Sequence, residues 1–242
     1  MSKLSGASHS HSANGLSPVP AACEGGCRFF VDDLSKEAAI HHAAGPAITY
    51  GKNEVVYRQG EKAAHCYKVV EGAVRVSRVL MDGHRQVLNF VLPGETFGLE
   101  LSDSYTADAE VVRNALLLRC SRACIMHLTD AETEKRRKMM AMLSDGMSAA
   151  QEHVVLLGQQ SARERVAMFL LRLAHHARIE DRGMIEVPMG RQDMADYLGL
   201  TLETTCRTLT DLKTRGVISI PNRRQIEVRS LTGVQAAAEG DL

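Results

Sequence analysis

An acid, a thiol and a cation lie close together in the segment LGLTLETTCRTLTDLKTR of this 242-residue chain. They are Glu203, Cys206 and Arg207. On an α-helix, residues four apart lie one turn above each other, so the acid and the cation share a face with the thiol beside them. A carboxylate can accept from cytosine N4, and a guanidinium can donate to guanine O6 and N7. The spacing therefore indicates a helix that reads base pairs in a major groove; an ordinary solvated ion pair is the alternative.

The residues around this segment predict a helix-turn-helix over 190–215. Arg191–Leu198 has the composition of a short first helix, and Gly199 suits the tight turn because glycine readily adopts a positive φ. Thr201 is expected to cap the second helix. The inward side of that second helix is predicted to consist of Leu202, Thr205, Leu209 and Leu212.

A β-hairpin is predicted directly after the second helix. Val217–Ile220 and Gln225–Val228 are the expected strands, and Pro221–Arg224 is the expected basic turn. A helix-turn-helix followed by a hairpin is a winged helix, in which cations at the hairpin tip contact phosphate. The predicted phosphate contacts, which set register but carry no sequence information, are Arg191, Thr201, Thr204, Arg223 and Arg224.

Composition limits the other classes of function. Lys+Arg and Asp+Glu balance at 29 each, so the chain is no polycation, and its 4% aromatic content disfavours a single-strand stacking surface. No run of 18 apolar residues is present, which predicts no membrane partner. The first residues lack the apolar centre of an export signal, so we expect a cytoplasmic protein with six reduced cysteines.

The predicted fold class is α+β: an N-terminal β-roll like a cyclic-nucleotide-binding jelly roll, a long dimerisation helix and a C-terminal winged helix-turn-helix. Regularly spaced glycines separate short apolar runs, which is typical of a roll. The predicted strands are Val55–Tyr57, Tyr67–Val70, Val74–Leu80, Val87–Leu92, Glu110–Val112 and Ala115–Leu118. The predicted units are a disordered tail 1–28, the roll 29–130, the dimerisation helix 131–158, the winged helix 159–231 and a C-terminal tail 232–242.

Three smaller elements complete this interpretation. A short helical pattern covers Asp33–Ala44, and a longer helix is predicted over Gln159–Arg182, ended by Gly183. Met184–Pro188 is expected to form a strand that leads into the helix-turn-helix.

Apolar residues spaced alternately three and four apart predict that the dimerisation helix forms a coiled-coil seam. The seam residues are Met140, Leu143, Met147, Ala150, Val154 and Leu157. A helix that packs on its own domain often shows the same spacing. A homodimer is favoured because a winged helix that reads a palindrome needs a two-fold partner.

This order of elements resembles the CRP/FNR superfamily of transcription regulators over about residues 30–230, most closely the FixK branch near FNR. The motif LGLTLETTCRTLTDLKTRGVI carries the resemblance. FNR-like recognition helices carry E-x-x-S-R and read TTGAT half-sites; Glu203 and Arg207 match, and Cys206 stands in place of the serine. The resemblance implies an activator that binds double-stranded DNA resembling TTGAT-N4-ATCAA. It also implies control of genes for low-oxygen respiration or nitrogen metabolism, and an RNA polymerase contact through the loop Asp82-Gly83-His84.

The family offers three kinds of signal. Cyclic-nucleotide binding is disfavoured because the acid of the expected motif is shifted to Glu100, no arginine lies in the segment Tyr105–Asp108, and Asp108 would repel a phosphate. An FNR-type iron–sulfur cluster needs four thiolates. The N-terminus offers only Cys23 and Cys27, and the remaining candidates are Cys66, Cys120 and Cys124.

The third signal is oxidation of Cys206 itself. The helix dipole and the neighbouring Arg207 favour its thiolate form, and an oxidised sulfur would add bulk and charge where DNA must fit. A serine-like spacer without a regulatory role is the alternative. No metal and no cofactor is predicted on this interpretation.

Two other classes of protein are less consistent with the sequence. A nucleotide-binding regulatory module of a kinase-like partner would explain the roll but not the winged helix. A thiol-dependent enzyme using Cys206 with His175 or His176 would need a pocket and an oxyanion hole, and neither is indicated. We therefore predict that the chain is not an enzyme.

Overall fold

The computed structural model of the chain describes residues 29, 47–100, 102–159 and 161–241. The predicted tail 1–28, with Cys23 and Cys27, and the predicted helix Asp33–Ala44 lie outside the described residues. The described part consists of a β-domain, two consecutive helices and a C-terminal domain of helices and three short strands, which confirms the predicted α+β architecture.

Six strands build the β-domain over its described residues. They are β1 (Ala47–Tyr50), β2 (Val55–Tyr57), β3 (His65–Val79), β4 (Arg85–Val91), β5 (Thr96–Phe97) and β6 (Asp108–Ser121). The two long strands β3 and β6 pair antiparallel at the centre, and the sheet order is β1-β6-β3-β4, with β2 beside β6 and β5 beside β3. Apolar residues of these strands form the inner core, as expected for a roll.

The central strands are longer than predicted. The sequence pattern divides β3 in two because Gly72 has the composition of a turn, but the chain passes through it as a bulge with a shifted register against β6. Gly72 has a φ of +89°, and a Cβ there would lie 2.2 Å from the carbonyl oxygen of Asn114. Only glycine fits this crossing, so the residue joins two strand segments instead of ending one. The predicted break in β6 is likewise absent.

Two helices follow β6: α1 (Arg122–Ala131) and α2 (Thr133–Gly158). The next helix, α3 (Ala162–His176), buries the predicted face of Val166, Phe169, Leu170 and Leu173. It ends earlier than predicted, because Arg178 takes a positive φ of 55° and Ile179 N donates to the carbonyl of Ala174. Gly183 begins the next strand instead of ending the helix.

The C-terminal domain places a three-stranded sheet and four helices around one core. Its further elements are β7 (Gly183–Glu186), α4 (Arg191–Leu198), α5 (Leu202–Thr214), β8 (Ile218–Asn222), β9 (Gln225–Val228) and α6 (Leu231–Glu239). The sheet order is β7-β9-β8.

The prediction of a C-terminal tail over 232–242 is wrong for most of that range. Ser230 caps α6 by accepting a hydrogen bond from Gly233 N at 3.0 Å, and Val234 and Ala237 are fully buried in the domain core. A short alanine-rich segment is not expected to be a stable helix in isolation. Here its packing on α3 stabilises the helix.

No helix within the described ranges is long and apolar enough to cross a membrane.

Candidate nucleic-acid interface

The turn between α4 and α5 has the geometry of a helix-turn-helix. Gly199 ends α4 in the left-handed region at φ 61° and ψ 38°, and its N–H donates to the carbonyl of Ala195. Met194 and Leu198 of α4 are buried against Leu209 and Leu212 of α5, so the two helices share one core. This packing fixes the direction of α5, the recognition helix of the motif.

Thr201 caps α5 as predicted. Its Oγ1 accepts a hydrogen bond from Thr204 N at 3.1 Å, which satisfies one of the free N–H groups of the first turn. The buried residues of α5 are Thr205, Thr208, Leu209 and Leu212. The prediction for Leu202 is wrong: it is 43% exposed because it lies in the first turn, beyond the edge of the core, and Thr208 takes the fourth buried position.

Glu203, Cys206 and Arg207 are all exposed on α5, opposite its buried face. Neither the acid nor the guanidinium is used inside the protein, since no ion pair within the described part of the chain includes either of them. Glu203 lies in the first turn of the helix, where the positive end of the peptide dipole favours an acid, and Cys206 and Arg207 lie in the next turn. The three groups are therefore available together to a ligand outside the chain.

The wing carries its two arginines at its tip, as predicted, but the turn is shorter than expected. Strand β8 continues through Pro221 to Asn222, which leaves Arg223 and Arg224 as a two-residue turn. The Asn222 side chain holds this turn by accepting from Arg224 N at 2.9 Å and donating to Gln225 Oε1 at 2.7 Å. Both arginine side chains are exposed and take no part in that support.

The remaining predicted phosphate contacts lie at the start of α4 and at the start of α5. Arg191 is half-buried at the start of α4, and burial lowers the pKa of its guanidinium, an effect that the nearby Cys206 opposes. Thr201 is exposed and Thr204 is half-buried, and the Thr201 hydroxyl donates to Thr204 Oγ1 at 2.8 Å.

One group on the recognition helix, the carboxyl of Asp211, was missed from the sequence. Asp211 accepts from Arg163 Nε at 3.0 Å and from Arg215 Nε at 3.0 Å, and these bonds, Arg215's first, lower the pKa of its carboxyl. An open cleft of about 440 Å³ lies between this cluster and Arg207. The four-residue spacing of Asp211 and Arg215 was a visible signal, whereas Arg163 lies on another helix.

The predicted dimer seam on α2 is mostly an open apolar face. Its exposed members are Met140, Leu143, Met147, Ala150 and Val154. Leu157 is placed differently: it is half-buried against the core of the C-terminal domain, beside the turn at Gly199. Leu156 and His153 lie on the other side of the helix and are buried in the same domain.

The interior of the roll is filled by its own side chains. Tyr57 and Tyr105 stack with ring centroids 3.6 Å apart, and Tyr67 and Phe97 stack beside them. Glu100, the shifted acid of the cyclic-nucleotide motif, accepts from the Thr106 hydroxyl at 2.9 Å. The carboxylate of Glu100 is thus bonded to a neighbouring residue of the roll itself.

The cysteines of the roll form a small buried cluster at the base of α2. Cys66 on β3 lies opposite Cys120 on β6, and both pack with Cys124 on α1. Cys124 is in a disulfide, so the expectation of six reduced thiols is wrong for this residue. In the described ranges, no group of three or more His, Cys, Asp or Glu side chains is placed to hold a metal ion.

The loop Asp82-Gly83-His84 is the tip of the β3–β4 hairpin. Asp82 Oδ1 accepts from His84 N at 3.0 Å, and this bond is the main cause of a lowered pKa of the Asp82 carboxyl. The tip projects into solvent together with the exposed side chains of Leu80 and Met81.

Two family models match the two domains. Residues 47–132 match the cyclic nucleotide-binding domain, and residues 164–237 match the Crp-like helix-turn-helix domain. The chain is 34% identical over 207 residues to the nitrogen fixation regulation protein FixK of Azorhizobium caulinodans, covering 84% of each chain. It is 39% identical over 187 residues to FixK of Rhizobium meliloti, covering 76% of this chain and 84% of that one.

A solved structure shows the same fold. FixK2 from Bradyrhizobium japonicum superimposes with a TM-score of 0.74 at 38% identity, covering 79% of this chain and 96% of that chain.

Proposed function

Since the chain belongs to the CRP/FNR superfamily of DNA-binding transcription activators, in its FixK-like branch, we propose that it binds a palindrome resembling TTGAT-N4-ATCAA as a homodimer. The family is not enzymatic. One observation carries the proposal: Glu203, Cys206 and Arg207 are exposed together in the first two turns of a capped helix whose opposite face is buried.

Base reading is assigned to these three residues. Arg207 donates to guanine O6 and N7, Glu203 accepts from the opposing cytosine N4, and Cys206 contacts the neighbouring base edge. Arg191, Thr201, Thr204, Arg223 and Arg224 contact phosphates and set the register. The half-buried position of Arg191 and the support of the wing by Asn222 are consistent with groups held ready to contact a backbone.

Dimerisation is assigned to the open face of α2. Five apolar side chains that face solvent in one chain favour burial against a second copy, because removing apolar surface from water stabilises association. The two recognition helices then enter successive major grooves about 34–36 Å apart.

The experiment that tests this function compares wild-type protein with Arg207→Ala on a fluorescent palindrome and on duplexes with the guanine replaced. The wild type should lose about 1–3 kcal/mol of binding free energy for each replaced guanine, and the variant should lose much less. Lys213→Ala is the matched control, since Lys213 is an exposed cation near the other end of the same helix. An Arg207→Ala protein that still distinguishes the two duplexes as the wild type does would overturn the assignment.

Regulation is assigned to oxidation of Cys206. Its thiolate attacks one oxygen of hydrogen peroxide, so that an S–O bond forms, the O–O bond breaks and hydroxide leaves, giving a sulfenic acid; a second peroxide oxidises this to a negatively charged sulfinate with release of water and a proton. That charge would repel the phosphate backbone. Peroxide should therefore abolish operator binding of the wild type and spare Cys206→Ser. Equal loss in both proteins would exclude this switch and leave base reading unaffected.

Activation is assigned to the hairpin tip at Asp82-Gly83-His84, which is exposed and free to contact RNA polymerase. The relatives are regulators of nitrogen fixation by name, so the proposed targets are genes of low-oxygen respiration or nitrogen metabolism.

A further inference from the structure

Two arginines of the roll hold the first helix of the helix-turn-helix. Arg75 on β3 forms an ion pair with Asp193 on α4, and Arg85 on β4 donates to the same carboxylate oxygen at 2.8 Å. Arg85 also donates to Asp196 Oδ2 from Nε at 2.9 Å and from Nη2 at 2.5 Å. We call these four residues the interdomain clasp.

Three of the four clasp residues are largely withdrawn from solvent, and the side chain of Arg85 is 32% exposed. The side chain of Arg75 is 7% exposed, and those of Asp193 and Asp196 are 16% and 14% exposed. Arg75 is also held by Glu110 within the roll at 2.8 Å. Removing a carboxylate from such a site would leave a buried guanidinium short of its partners, so the domain orientation that brings both acids to the roll is strongly preferred.

Further hydrogen bonds hold the same helix. Gln86 on β4 donates to the carbonyl of Asp196 at 2.9 Å. Arg172 on α3 donates to the Tyr197 hydroxyl at 2.8 Å and, through Nη2, to Asn89 Oδ1 on β4 at 2.8 Å. The His153 ring on α2 donates to the carbonyl of Tyr197 at 2.8 Å.

The recognition helix is left open by this arrangement. The contacts with the roll come from α4, α3 and β7, whereas Glu203 and Arg207 on α5 remain exposed. Because α4 and α5 share one core, an α4 that cannot rotate on the roll keeps α5 at a fixed angle to α2. In a dimer joined through α2, that angle determines how far apart the two recognition helices lie and how they are turned.

We propose that Arg75 and Arg85 are positioning residues for DNA binding, which set the half-site spacing that the dimer accepts by holding Asp193 and Asp196. The inference rests on the proposed palindrome binding. It assigns specificity for the spacing to residues of the roll that touch no base, and specificity for the bases to α5. The roll then serves as a rigid support that fixes the orientation of the recognition helix, and its interior, which is filled by side chains, suits this role.

The test measures affinity for duplexes in which the spacer between the half-sites is one or two base pairs shorter or longer. Each added base pair turns one half-site by about 35° and shifts it by about 3.4 Å. The variants are Arg85→Gln, Asp196→Asn and their combination. The double variant removes both charges of the Arg85–Asp196 contact, so neither charge is left without a partner there. It can therefore be tested as a folded protein if a single variant unfolds. Circular dichroism melts check folding.

The matched control is Arg113→Gln with Glu186→Gln. This pair also joins the roll to the C-terminal domain, but its side chains are 43% and 62% exposed, so it should contribute little to orientation.

The wild type and the control should lose about tenfold in affinity for each base pair away from the preferred spacer. The clasp variants should lose about twofold or less over the same series, while their response to a replaced guanine stays as in the wild type. Clasp variants that keep the wild-type spacing preference overturn the inference. A wild type that binds the palindrome no better than a scrambled duplex would instead remove the proposed function.

Discussion

Removing one arginine at the wing tip should reduce the salt dependence of DNA binding without changing sequence preference. Arg223 is exposed on a two-residue turn that Asn222 supports, so Arg223→Ala deletes a charge and leaves the hairpin in place. Each phosphate contact contributes about −0.9 to the slope of log affinity against log salt concentration. A dimer carries two such arginines, so the slope should become shallower by about 1.8.

This slope corresponds to a measurable change in affinity. Between about 50 and 200 mM salt, a slope change of about 1.8 alters the ratio of wild-type to variant affinity by about twelvefold. Fluorescence anisotropy on the palindrome and on a scrambled duplex would measure both slopes. Loss of affinity should be similar on the two duplexes, because phosphate contacts carry no base information.

The control for this experiment is Arg229→Ala. Arg229 is exposed just beyond the same hairpin but lies 3.5 Å from Glu227, away from the tip, so its slope should match the wild type. An unchanged slope for Arg223→Ala, or a loss confined to the palindrome, would refute the assignment of the wing to phosphate.

Two further predictions concern association and pH. Met147→Asp on the open face of α2 should convert a dimer to a monomer in sedimentation velocity, whereas Val155→Asp, equally exposed but off the seam, should leave the dimer intact; identical behaviour would contradict the interface. Burial, opposed by a hydrogen bond to Tyr197 and helped by the charge of Arg172, lowers the pKa of His153 in the folded chain. The neutral ring therefore stabilises the folded state at pH values above the pKa of histidine in the unfolded chain, which is about 6.5. This stabilisation is lost as the pH falls towards the lowered pKa of the folded state. Urea unfolding at neutral and mildly acidic pH should show this loss in the wild type and less of it in His153→Gln, and an equal loss in both would contradict the prediction.

Local signals made the DNA-reading motif predictable. Its features depend on residues within a few positions of each other. They are the positive φ at Gly199, the cap at Thr201 and the exposure of Glu203 and Arg207. The same local reasoning failed at Gly72, because a β-bulge and a turn can both require a glycine with a positive φ. Whether the chain continues or reverses there depends on a partner strand that is distant in sequence.

Contacts between distant segments were not predictable. Arg75 and Asp193 are 118 positions apart, and nothing in either segment indicates the other. Leu157 fits the heptad spacing of the seam, yet its neighbours are set by how the C-terminal domain folds back on α2. Helix α6 was missed for a related reason. It is stabilised by the burial of Val234 and Ala237 in the domain core, and the local sequence does not show that burial.

The position of α6 links the integrity of the chain's end to its ability to read an operator. Cleavage of the chain before Val234 would remove the Val234 and Ala237 side chains, which lie in the same core as α3, and α3 in turn contacts the recognition helix. The cleaved molecules would lose the fold of the DNA-binding domain. They would therefore not remain as weakly binding proteins that compete with intact ones for promoter sites. Turnover from this end would then lower the number of active regulators without producing a partly active population.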